Sequence, residues 1–196
     1  MKYLNRGTRL FRRLSILAFV GSGLAGQAGA PQFNQEEARI FKAFTVRVQQ
    51  YVKLQKDVEA SLPALKPTNE VSRIAEYQDA LAKRIAHARQ GARQGDIFTA
   101  EVARQFRKII RGEFQGPHAS LARKTIREND PSRVNIHLHV NDVYPENLPL
   151  TTTPPTLLAK LPQLPQELTY RIVGRDLTLL DSEARLIVDL IPKVIR

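Results

Sequence analysis

The sequence contains no cysteine. No disulfide can brace the fold, no lipid can be carried on a cysteine, and cysteine nucleophiles are excluded. Long hydrophobic runs are missing too. The most apolar stretch, Leu14 to Ala25, is interrupted by serine and glycine and falls short of the about 20 residues that a membrane-spanning helix needs. Several catalytic signatures are absent: no serine sits in a Gly-x-Ser-x-Gly turn, and there is no His-Glu-x-x-His, dinucleotide glycine fingerprint or phosphate loop. The carboxylates show no convergent pair of the kind general acid–base chemistry uses: Glu36 and Glu37 suit the first turn of a helix, and Asp176, Asp181 and Asp189 suit turns and strand ends. The chain therefore reads as non-enzymatic, with no cofactor.

Negative charge is missing from the N-terminal region, where the first acidic residue is Glu36. Lys2, Arg6, Arg9, Arg12 and Arg13 precede the apolar stretch, and the small residues of Gly-Gln-Ala-Gly-Ala follow it at 26–30. This order of basic, apolar and small segments is that of a secretory signal covering residues 1–28, with a retained membrane anchor as the alternative. Proline at position 31 would obstruct cleavage after Ala30, so Ala28 is the preferred site and Ala30 the alternative. Arg12-Arg13 is a partial twin-arginine pattern, but the general secretory route is favoured. The reading is of an exported bacterial protein, periplasmic or extracellular, with no membrane-spanning segment in the mature chain.

The formal charge of +11 falls to near +6 once the five leader cations are removed. Its excess is concentrated in residues 73–133, with thirteen basic and seven acidic groups. An exported protein seldom meets nucleic acid, so the partners expected of such a stretch are an anionic envelope surface or another envelope protein. The alternative is a solvated helical face with no partner.

Periodicity divides the remainder into a helical region, 29–130, and a strand-bearing region, 131–196, packed together as one α+β domain. Asn34-Gln-Glu-Glu37 has the spacing of a reciprocal helix cap. Phe41, Phe44, Val48, Tyr51, Val52, Val58 and Leu62 then recur at helical steps until Pro63. A second helix starts near Pro67-Thr68-Asn69-Glu70, with Val71, Ile74, Leu81 and Ile85 as its stripe, forming an antiparallel hairpin with the first. The hairpin's stripe of Phe41, Phe44, Val48 and Tyr51 is read as core rather than as a surface offered to a partner or membrane. The tandem Ala-Arg-Gln-Gly at 88–95 stops the second helix; as a phosphate cradle it lacks both the lysine ending and a preceding strand. Thr99 caps a third helix, with Val102, Phe106, Ile109 and Ile110 inward and Arg104, Arg107, Lys108 and Arg111 outward. A shorter helix carries Leu121 and Ile126.

Beyond Pro131 the period changes to two. Val134, Ile136, Leu138 and Val140 alternate with polar residues as a half-buried strand that could join the edge of the sheet. Residues Pro145 to Pro165 are expected to lie extended over the surface, anchored by Leu157, Leu158 and Leu161. A three-stranded meander follows: 169–173, 177–180 and 185–190. On the predicted first strand His137 and His139 share a face and could hold zinc or nickel, with Asp142, Glu146 and His118 as candidate further ligands. The competing reading is an ordinary polar strand face.

Tyr170-Arg-Ile-Val-Gly-Arg-Asp-Leu-Thr-Leu-Leu-Asp181 and Leu186-Ile-Val-Asp-Leu-Ile191 resemble a strand-turn-strand unit of small periplasmic bacterial proteins, some of which act in nickel and cobalt homeostasis. The run from Pro154 to Pro192 is similar to a family of uncharacterised exported bacterial proteins. The resemblance implies export and a strand meander and transfers no catalytic residue. Metal-handling members tend to be rich in histidine, and the meander here has none.

Overall fold

A computed structural model describes residues 33–128, 138–145 and 152–195. Helix α1, Gln35–Ala60, begins with the expected reciprocal cap: the Asn34 side chain accepts from the Glu37 amide at 2.9 Å, and the Glu37 carboxylate accepts from the Asn34 amide at 3.2 Å. Its buried face carries Phe41, Phe44, Val48, Tyr51 and Val52. Helix α2, Val71–Ala88, packs antiparallel to it, so that Tyr77 meets Glu59 while Arg89 lies over the ring of Tyr51. Leu81 and Ile85 are fully buried, but Val71 is 79% exposed and leaves the predicted stripe. Helical side chains lean over the turn N-terminal to them, and a first-turn residue has no such turn to cover.

α2 stops at the tandem repeat. The left-handed glycine is the second of the pair, Gly95, with φ +96°. Thr99 then caps helix α3, Ala100–Gln115, accepting from the Val102 amide. Phe106 of α3 sits in an aromatic cluster with Phe41, Phe44, Phe98 and Tyr170, its ring 5.2–5.8 Å from each of theirs, distances at which such rings attract. Helix α4, Ala119–Glu128, follows the break at Gly116-Pro117.

The expected meander is present: β1 Leu168–Val173, β2 Asp176–Asp181 and β3 Ile187–Ile191 form an antiparallel sheet in the order β1-β2-β3. The architecture is α+β. Leucines, isoleucines and valines of the sheet join α1, α2 and α3 in one apolar core, while Val173, Leu180, Ile187 and Leu190 form a second small cluster with Tyr144. Both faces of the sheet are thus covered.

Two expectations are corrected. The alternating strand does not extend through Leu138–Val140: these residues run into a turn at Asn141, whose φ of 69° ends any extended run. Residues 134–137 lie outside the described residues. The sheet edge is instead met further on, where Asn141 donates to the Ile187 carbonyl, Tyr144 donates to that of Arg185, and Val143 bridges Leu186. Nor is the proline-rich crossing wholly extended. Pro154 and Pro155 start a short helix, α5, Pro155–Leu158, because proline's fixed φ suits a first helical turn. Leu157 and Leu161 are buried as anchors, whereas Leu158 is exposed.

The helices and the sheet are fastened by Asp189, a fully buried residue of β3. One carboxylate oxygen accepts from the amides of Gly95 and Leu190, the other from Ile97 and Phe98, all at 2.7–2.9 Å. Four donors match the acceptor capacity of a carboxylate. Asp189→Asn keeps the size but turns an amide NH2 toward those donors. It is expected to lose about 3 kcal/mol or more in urea denaturation, against less than about 1 kcal/mol for Asp176→Asn.

Candidate functional site

His137 and Glu146 lie outside the described residues. His139 is exposed, and its nearest acidic neighbour is Asp142: one Asp142 oxygen accepts from the His139 amide at 2.7 Å and lies 3.1 Å from the ring Nδ1. Asp142 therefore caps its own turn. His118 stands just before α4, near enough to Glu113 to interact with it. Among the described residues no three histidine, cysteine or acidic side chains come together as a metal cage would require. The signal-cleavage positions Ala28 and Ala30 also lie outside the described residues. Among those described, no helix is long and apolar enough to cross a membrane.

The basic face of α3 has more structure than its periodicity reveals. Lys108 is paired with Glu37 of α1 at 2.9 Å. Arg107 and Arg111, one helical turn apart, border a cleft of about 210 Å³ together with Arg123 of α4 and Lys193 beyond β3. Arg107 donates to the Pro192 carbonyl at 3.3 Å, and Arg123 to the Phe114 carbonyl at 2.8 Å, meeting one of the carbonyls that the end of α3 leaves open. Phe114, Val194 and Ile195 give the cleft an apolar side. Residues 193–195 are held there by the β1–β2 turn. The Lys193 amide donates to Asp176, the Val194 and Ile195 amides donate to the Arg175 carbonyl, and the Arg175 guanidinium donates to the Ile195 carbonyl.

Among the described residues no carboxylate lines this cleft. Glu113, adjacent to Phe114 in sequence, points the other way and is buried, accepting from Thr156 of α5 and from Lys160 at 2.6 Å. Burial alone would raise its pKa, but the hydrogen bonds from Lys160 and Thr156 outweigh that and hold it below the ordinary 4.5. Two other acids are likewise occupied. Tyr51 donates to one oxygen of Asp181 at 2.6 Å, and the other accepts from the Glu183 and Ala184 amides. That is the turn role expected of Asp181; its pKa is raised by burial, with the hydrogen bonds opposing. Asp189 goes further than turn chemistry, because three of its four donors come from the α2–α3 loop.

Sequence reasoning placed Arg107 and Arg111 on a solvent face. It did not join them to Arg123, Lys193, Val194 and Ile195, which the fold brings from two other segments. The only local signal was the helical spacing of Arg107, Arg111 and Phe114. Comparison of the chain with protein-family models, with curated proteins and with solved structures gives no match.

Because Glu113 titrates low when folded, its contribution to stability is present above about pH 4.5 and is lost as pH falls through the depressed value. Lys160→Met removes the main hydrogen-bonding partner. The variant is expected to be less stable by about 1–3 kcal/mol at neutral pH, with the difference shrinking in acid. Chemical denaturation across pH 3–7 checks this; a constant gap would show that Lys160 acts through packing alone.

Proposed function

We propose that the protein is an exported, non-enzymatic module that engages an anionic surface of the bacterial envelope through the cleft between α3, α4 and residues 193–195. The observation that carries this reading is the convergence of Arg107, Arg111, Arg123 and Lys193 on one cleft with no lining carboxylate among the described residues. Like charges gathered from three segments repel one another, and a bound anion relieves that repulsion. The basic, apolar and small segments of residues 1–28 support export, as does the resemblance of the meander to periplasmic proteins. The zinc or nickel alternative at His137 and His139 gains no third ligand from the described residues.

Co-sedimentation tests the reading. The protein is expected to pellet with phosphatidylglycerol-containing vesicles at low salt, to be released at high salt, and to ignore phosphatidylcholine vesicles. Arg111→Gln/Lys193→Gln should weaken partitioning by about tenfold or more, at roughly 1 kcal/mol per cation near the surface. Failure of the parent protein to pellet at low salt would remove the proposal.

A further inference from the structure

The four cations of the cleft are not equivalent. Arg107 and Arg123 each give a guanidinium N–H to a backbone carbonyl. The Arg111 guanidinium and the Lys193 ammonium have no hydrogen bond or ion pair among the described residues, although both line the cleft. Lys193 adopts φ 53°, a left-handed conformation that costs a non-glycine residue free energy, and it is kept there by Asp176 and the Arg175 hook. Two uncommitted cations thus stand beside an apolar wall of Phe114, Val194 and Ile195.

That pairing restricts the ligand. A bare inorganic anion would leave the apolar wall in water, and an uncharged apolar molecule would leave the cations unanswered. At about 210 Å³ the cleft is far larger than a single-water cavity and suits a small ligand of one phosphate group and a few carbons. A phosphate monoester carries close to two negative charges at neutral pH and matches the fork of a guanidinium. Resting on the anionic-surface reading and naming the group recognised there, we propose that the cleft binds an alkyl phosphate. Arg111 and Lys193 hold the phosphate oxygens, and the first carbons of the chain lie on Phe114, Val194 and Ile195. Such a group occurs both as a phosphomonoester lipid headgroup and as a small soluble ester.

Calorimetry of the full chain with butyl phosphate, inorganic phosphate and butanol tests the chemistry. Butyl phosphate is expected to bind at least about tenfold more tightly than inorganic phosphate, and affinity should rise about two- to fourfold per added methylene. Butanol should give no heat. Arg111→Gln should weaken butyl phosphate by about tenfold or more with an unchanged thermal midpoint, since Arg111 has no partner to lose within the fold. Equal binding of inorganic and butyl phosphate, or an Arg111→Gln variant that binds as the parent does, overturns the proposal. Phosphatidic acid vesicles separate the sources. If butyl phosphate releases the protein from them, the ligand is a lipid headgroup; if it binds but releases nothing, the ligand is a soluble ester. Pelleting without any butyl phosphate binding sinks this inference and leaves envelope contact standing.

Discussion

The carboxylate of Asp189 is the constraint from which the rest of the arrangement follows. By drawing the amides of Gly95, Ile97 and Phe98 onto β3, it fixes the path of the loop between α2 and α3. Phe98 is thereby delivered against Phe44 and Phe106, and α3 starts immediately afterwards in a set direction. The direction of α3 decides where Arg107 and Arg111 emerge. Arg89 works alongside: its guanidinium donates to Asn141 and to the Val188 carbonyl, tying the segment that covers the outer sheet edge to the end of α2. Burial lowers the Arg89 pKa while Tyr51, Asp189, Asp96 and Asp181 oppose that shift, so its charge is balanced by the same acids that organise the interface.

Local patterns were legible in the sequence, and long-range ones were not. The Asn34 cap, the Thr99 cap and the meander each depend on residues a few positions apart, so spacing alone exposes them. The Asp189 clamp joins positions 91–94 apart. In sequence Asp189 looks like a strand-end residue, because nothing nearby reveals which amides it will meet. The alternating pattern did not become a strand at 138–140 for the opposite reason: a local preference of Asn141 for the left-handed region overrode a regular pattern. The cleft escaped notice since its cations come from α3, α4 and the segment after β3, and only the first pair carries a helical spacing.

Charge is sorted by the fold in one direction. Among the described residues, the fully buried side chains of the charged types are Glu113, Asp181 and Asp189, all acids, each held by hydrogen bonds. Burying carboxylates that accept hydrogen bonds from amides, a hydroxyl or an ammonium is tolerable, since those donors replace water. The consequence is that acidic groups are withdrawn from the surface while basic ones remain on it. The exterior is therefore more positive than the formal count implies, and most so around α3 and α4, where Glu113 faces inward and the arginines face out.

The Asp189 clamp also has a meaning in time. A ribosome releases Gly95 through Phe98 long before Asp189, which lies more than 90 residues later. Throughout that interval the loop amides have no acceptor on β3, so the clamp cannot lock the helical part in place before β3 is made. Completion of the fold is tied to the emergence of β3, which makes the helical part a latecomer to its own structure, pliable until that strand has been made.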